Sequence, residues 1–158
     1  MIPTTTRVEQ HTDEAINKKI RLQTERNISH MAHRGRDERG RDEIDWRLKE
    51  LDHEWDMERT LEANAASLAL IGLGLGAFVD RRFLVLPAVV AGFLLQHAVQ
   101  GWCPPVPVFR RLGIRTANEI STERYALKAV RGDFEDLPDQ PSLAERGQAR
   151  RILSVIDR

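Results

Sequence analysis

The chain is poor in the residues that staple, ligate or stack. Its 158 residues include one cysteine, Cys103, so no intramolecular disulfide can form. Aromatics make up 6%, with a single tyrosine, and no aromatic-rich basic motif or Cys/His finger spacing occurs. An excess of one charge is missing as well, because 24 acidic residues balance 24 basic ones. Nucleic acid is therefore not an expected partner. The Met1–His11 segment lacks the apolar centre of a secretory signal, so no cleavage is expected there. No repeat of solenoid length is present.

What the chain does have is two apolar runs, Ala63–Val79 and Phe83–Trp102, separated by Asp80-Arg81-Arg82. The mean hydropathy of −0.43 hides them by averaging them with a polar majority. One helix needs roughly 20 apolar residues to cross about 30 Å of hydrocarbon. The second run has that length and the first is at the short end of the range. The three-residue joint leaves no room for a domain beyond it, so the pair predicts a helical hairpin in a membrane.

Around the runs the pattern is helical. Residues 12–33 carry a thin stripe of Ile16, Ile20, Asn27 and Met31, with Thr12 or Asp13 as cap. Gly35 and Gly40, in a fully charged stretch, predict a hinge or loop. Ile44, Leu48, Leu51 and Trp55 then follow a 4-3-4 spacing on one seam. With no proline or glycine before Ala63, one helix is expected from about Asp42 to Phe78. After Trp102, three prolines in four positions predict a stop and a stiff exit. Thr116 and Glu119 form a capping box for a helix ending at Gly132, with Ile120, Leu127 and Val130 on one face. Ser142 and Glu145 mark a last short helix.

Small residues recur at helical spacing: Ala65, Ala69, Gly72 and Gly76 in the first run, Ala88 and Gly92 in the second. Such stripes allow close helix packing in lipid, either within the hairpin or between subunits. Gly72–Ala77 also fits a loose dinucleotide fingerprint, but it follows no strand and is set aside. Trp102 suits the headgroup level, and Arg110 and Arg111 would offer cations to anionic lipid. Arg47, Lys49, Arg59, Arg110, Arg111 and Arg115 flank the runs on the terminal side, against Arg81 and Arg82 in the joint. The positive-inside bias therefore puts both termini in the cytoplasm.

Three groups could carry chemistry. Gln96, His97 and Gln100 are polar residues in the second run, where an ionisable group is a functional candidate. The blander reading is that they hydrogen-bond across helices or reach interfacial water, since no second intramembrane acid or base stands out in the sequence. Glu50 and His53 have the i, i+3 spacing of di-iron bundles, and His30 and His33 could add nitrogens. In so acidic a segment a solvated charged face is the favoured reading, and no metal or other cofactor is expected. Cys103 could act as a nucleophile, a persulfide carrier or an intersubunit crosslink, but no His or acid adjoins it, and a packing role is favoured.

The stretches Glu54–Glu62, Gln96–Pro105, Arg110–Thr116 and Glu123–Lys128, with the runs between them, resemble small bacterial proteins with a YgaP-like transmembrane domain. That family's shared signature is an Ala/Gly/Leu-rich helical hairpin ending in a Cys-Pro step, which falls here on Cys103-Pro104. The resemblance covers about half the chain. It implies an inner-membrane location and a homo-oligomeric hairpin. The rhodanese domain of the family's type member is absent, so sulfur transfer does not carry over.

The expectation is thus an all-α membrane protein, a two-helix transmembrane hairpin with cytoplasmic amphipathic helices. Residues 1–60 form an N-terminal arm, 61–103 the hairpin, 104–137 a juxtamembrane segment and helix, and 138–158 a tail. The function expected is a non-enzymatic, homo-oligomeric scaffold or accessory subunit in the bacterial inner membrane. Its partners would be the lipid bilayer, further copies of itself and a protein not identified by the sequence. The alternatives are a thiol- or sulfur-handling accessory using Cys103, and a small oligomeric pore lined by Gln96, His97 and Gln100.

Overall fold

Local punctuation decides where each element stops. The computed structural model describes residues 6–34 and 38–135, and among them every regular element is a helix. In chain order these are α1 (Arg7–Gln10), α2 (Glu14–Arg34), α3 (Glu38–His53), α4 (Met57–Phe78), α5 (Val85–Gln100), α6 (Val106–Arg111) and α7 (Ala117–Arg131). A 3₁₀ turn, Arg81–Leu84, joins α4 to α5. The tail helix expected after Ser142 and the centre of the expected hinge, residues 35–37, lie outside the described residues. Gly40 is not in a loop, since it is buried within α3.

Two expectations about helix ends are corrected. The helix read from Asp42 to Phe78 is broken at Glu54-Trp55-Asp56. Asp56 caps α4 by accepting from the Arg59 N–H at 2.8 Å, and the Met57 N–H donates to the Arg115 carbonyl at 2.8 Å. Trp55 therefore leaves the apolar seam and is half exposed, whereas Ile44, Leu48 and Leu51 are buried. The second correction concerns the exit from α5. Gly101 ends that helix in the left-handed region at φ 74°, before any proline is reached. Pro105 and Pro107 instead begin α6, where a missing N–H costs nothing.

The described chain divides into two compact units. The first comprises residues 6–24 and 53–121. Here α4 and α5 pack as an antiparallel pair along the small-residue stripe, with Ala65, Gly72 and Gly76 buried. A Cβ at Gly72 would lie 2.6 Å from Pro87 Cδ, so only glycine permits the approach. Ala88 and Gly92, by contrast, are exposed on α5. Two helical stretches, one ending at Phe78 and one spanning Arg81–Gln100, are long and apolar enough to cross a membrane. Only 22% and 11% of their most apolar windows are buried, whereas the core helix of a soluble protein would be mostly buried.

The second unit comprises residues 25–34, 38–52 and 122–135. Ile44, Leu48, Leu51 and Leu127 are its buried apolar positions. Glu123 is fully buried among them and accepts from Arg47 Nε at 2.9 Å and Asn27 Nδ2 at 3.1 Å, which satisfies its charge. Arg131 bridges Asp45 and Asp133, and these two carboxylates hold its guanidinium firmly in the charged form. In the first unit, the capping box forms as the sequence predicts: Thr116 N–H donates to Glu119 at 2.8 Å and Glu119 N–H to Thr116 Oγ1 at 3.2 Å. Gly132, at φ 91°, closes α7.

Candidate functional site

Polar side chains converge where α4 begins and α5 ends. The left-handed turn at Gly101 leaves the last carbonyls of α5 without intrahelical donors. Arg7 Nη1, on α1, takes one of them, the Ala98 carbonyl, at 2.7 Å. Its aliphatic stem lies so close to Gly101 that a Cβ there would meet Arg7 Cγ at 2.5 Å. Glycine is thus required at this position twice, once for the backbone and once for the packing.

Glu58, in the first turn of α4, completes the cluster. One carboxylate oxygen lies 3.0 Å from His97 Nε2, and the other lies 3.7 Å from Arg7 Nη2. An ionised carboxylate only accepts, so in this pair the donor is His97 Nε2–H. His97 is 4% exposed, and its Nδ1 and the Arg7 Nε are buried without a hydrogen-bond partner. The arrangement is an ion-pair clamp that ties α1, α4 and α5 at one end of the helical pair. It offers hydrogen bonding and charge, with His97 Nδ1 and Arg7 Nε buried beside it.

Beside the clamp, Val8, Met57, Leu61, Cys103 and Val106 form a buried apolar cluster. Burial pushes the Cys103 thiol, three residues beyond α5, up from its ordinary value. An apolar cleft of about 240 Å³ opens between α4 and α5, walled by Leu68, Val89 and Phe93, with Cys103 and Pro104 in its lining. The cysteine therefore sits in surroundings that disfavour a thiolate.

The other residues singled out in the sequence are placed differently. Gln96 is half-buried and Gln100 exposed, while His97 turns to Glu58. Arg110 was expected at the lipid surface, but it is 1% exposed and donates to both Glu119 oxygens, at 2.6 and 2.8 Å, and to Asn17 Oδ1 at 2.7 Å. Its neighbour Arg111 is exposed, and Trp102 is half-buried. Arg115 is likewise buried and bidentate to Glu54, at 2.7 and 2.6 Å. Glu50 accepts from Trp46 and Arg47, and His30, His33 and His53 are exposed. Among the described residues no group of three or more His, Cys, Asp or Glu side chains is placed to hold a metal.

Sequence reasoning passed over Arg7 and Glu58. Glu58 carried no clear signal, because counting outward from the Asp80–Arg82 joint brings His97 level with Ala65, about two turns inside α4. Arg7 carried none. In comparisons with known proteins, no family model, curated protein or solved structure matches the chain.

Proposed function

We propose that this chain is a membrane-inserted helical protein in which α4 and α5 cross the bilayer as a hairpin, with both termini in the cytoplasm. One observation carries the reading: the outward faces of α4 and α5 are apolar and bare. Leu70, Ile71, Phe78, Val79, Val85, Leu95 and Val99 are each more than half exposed. A water-facing surface of that extent is unfavourable, whereas hydrocarbon covers it at no cost. The function that follows is structural and non-enzymatic, a scaffold or accessory subunit of a bacterial inner membrane presented through the polar helices. The resemblance to YgaP-like hairpins supports the same location.

Self-association is part of this proposal. Ala88 and Gly92 are exposed on α5, and a Cβ at Gly92 would meet no atom within 4 Å, which leaves that small-residue step open to a second copy. The burial of Cys103 favours packing over the thiol-based alternative.

Fractionation and labelling test the proposal. The protein should stay in the membrane pellet after an alkaline carbonate wash, and a probe at Asp80–Arg82 should label only from the periplasmic side. Release into the supernatant would end the membrane reading, and cytoplasmic labelling would reverse the topology.

A further inference from the structure

The α4–α5 pair is pinned at both ends and open between. Near the turn, Gly72 lies so close to Pro87 that a Cβ would come within 2.6 Å of the ring. At the other end Glu58 and His97 meet at 3.0 Å. Between these contacts lies the cleft of about 240 Å³ walled by Leu68, Val89 and Phe93. Neither helix can move in to fill it without disturbing one of the two contacts.

The rest of the lining offers water little. Pro104 and Pro105 have no N–H, and the Cys103 carbonyl is already taken by the Val106 N–H at 3.0 Å. A water needs roughly two to four polar partners to settle in such a space. Apart from the thiol, the lining has one polar side chain, Asn64. Its carboxamide is exposed and makes no hydrogen bond among the described residues. Asn64 stands two residues inside Glu62, the last charge before the apolar run, a rise of about 3 Å. That is the level at which the polar end of a membrane lipid gives way to its chain.

Size and chemistry select the occupant. An apolar cavity of about 150 Å³ holds one benzene, so this cleft admits a slim hydrocarbon segment. A helix of a second copy, about 10–12 Å across, would rest on the lips and reach in only with single side chains. Leu68, Val89 and Phe93 are each more than a third exposed, so the cleft opens outward, to lipid in the membrane reading.

We propose that this cleft is a binding site for one acyl chain of a bilayer phospholipid, with Asn64 Nδ2 donating to an ester carbonyl of the same lipid. The proposal rests on the membrane reading and adds to it a defined lipid site. The chain lies between Leu68, Val89 and Phe93 with its ester at the Asn64 end. It fills space whose lining would otherwise forfeit dispersion contacts.

The test reconstitutes the full chain into phosphatidylcholine vesicles that include a phosphatidylcholine with a photoreactive diazirine in one acyl chain. After illumination, labelled positions are read by peptide mass spectrometry. Labelling at Leu68, Phe93 and Cys103 should exceed that at Leu70, Leu95 and Val99, on the outward faces, by about five-fold, the ratio that one hydrogen bond supports. Asn64→Leu should remove most of that excess. Val89→Trp, which spreads a ring across an exposed lip, should do so with Asn64 intact, and both variants should leave the outward labelling unchanged. Equal labelling of cleft and faces in the unchanged protein would reduce the cleft to ordinary boundary lipid. Cleft positions left unlabelled would give it to a second copy or to closure. Either result overturns the proposal and leaves the membrane reading standing, and an excess that survives Asn64→Leu overturns the ester bond. Release of the protein from the vesicles by alkaline carbonate would overturn the site and the membrane reading together.

Discussion

His97 and Glu58 meet at 3.0 Å although 39 residues separate them, and the bond joins the last turn of α5 to the first turn of α4. Glu58 is partly exposed, so its contribution is that of a screened pair. In a double-mutant cycle of Glu58→Ala and His97→Ala, unfolding in detergent should reveal a coupling of about 0.5–1.5 kcal/mol. Strict additivity would show that the bond contributes nothing.

The two glycine steps should separate folding from assembly. Gly72→Leu drives a side chain into Pro87 and Leu86 and should destabilise the helical pair by about 1–3 kcal/mol. Gly92→Leu meets empty space within the chain, so it should leave the monomer's stability nearly unchanged. If α5 joins subunits, it should lower the sedimenting mass of the detergent-solubilised protein. A monomer at every concentration, before any substitution, would dismiss self-association.

Arg110 tests the buried network. Arg110→Ala strands Glu119 without its guanidinium and should cost about 3–5 kcal/mol, read as a shift in the denaturation midpoint. Arg110→Met with Glu119→Leu should recover most of that loss. A deficit of about 1 kcal/mol should remain, because Glu119 also accepts the Thr116 N–H of the capping box. If the double variant is worse than the single one, the pair is net stabilising in its own right.

For Cys103, burial raises the thiol, so the reactive thiolate is scarce at neutral pH and increases only as pH rises past the range of a free cysteine. Alkylation should be on the order of ten-fold slower in the folded protein than after denaturation. Cys103→Ser should keep insertion and assembly. Rapid alkylation near pH 7, together with a folded but inactive serine variant, would restore the thiol-based function.

Short-range chemistry was legible in the sequence and long-range partnership was not. The Thr116–Glu119 box and the Gly132 stop operate within a few residues, and the apolar runs identify α4 and α5 by composition alone. Asp56, by contrast, is one acid among many, and the break it caps is fixed by the Met57 N–H bond to Arg115, far along the chain. Arg115 looks like a solvent- or lipid-facing cation because its partner Glu54 lies 61 positions away, and Arg110 because Asn17 is distant and Glu119, nine residues on, reads only as a capping residue. The same holds for His97, whose acid is on the other helix.

The reach of α1 also sets an order of events. Arg7 bonds a carbonyl 91 residues later, and Glu9 accepts from Thr116, 107 residues later. Synthesis runs from the amino end, so α1 leaves the ribosome long before either partner exists. It docks only once α5 and the capped start of α7 have both been made. A helix made early thus waits, undocked, until residues as far as Thr116 have been made.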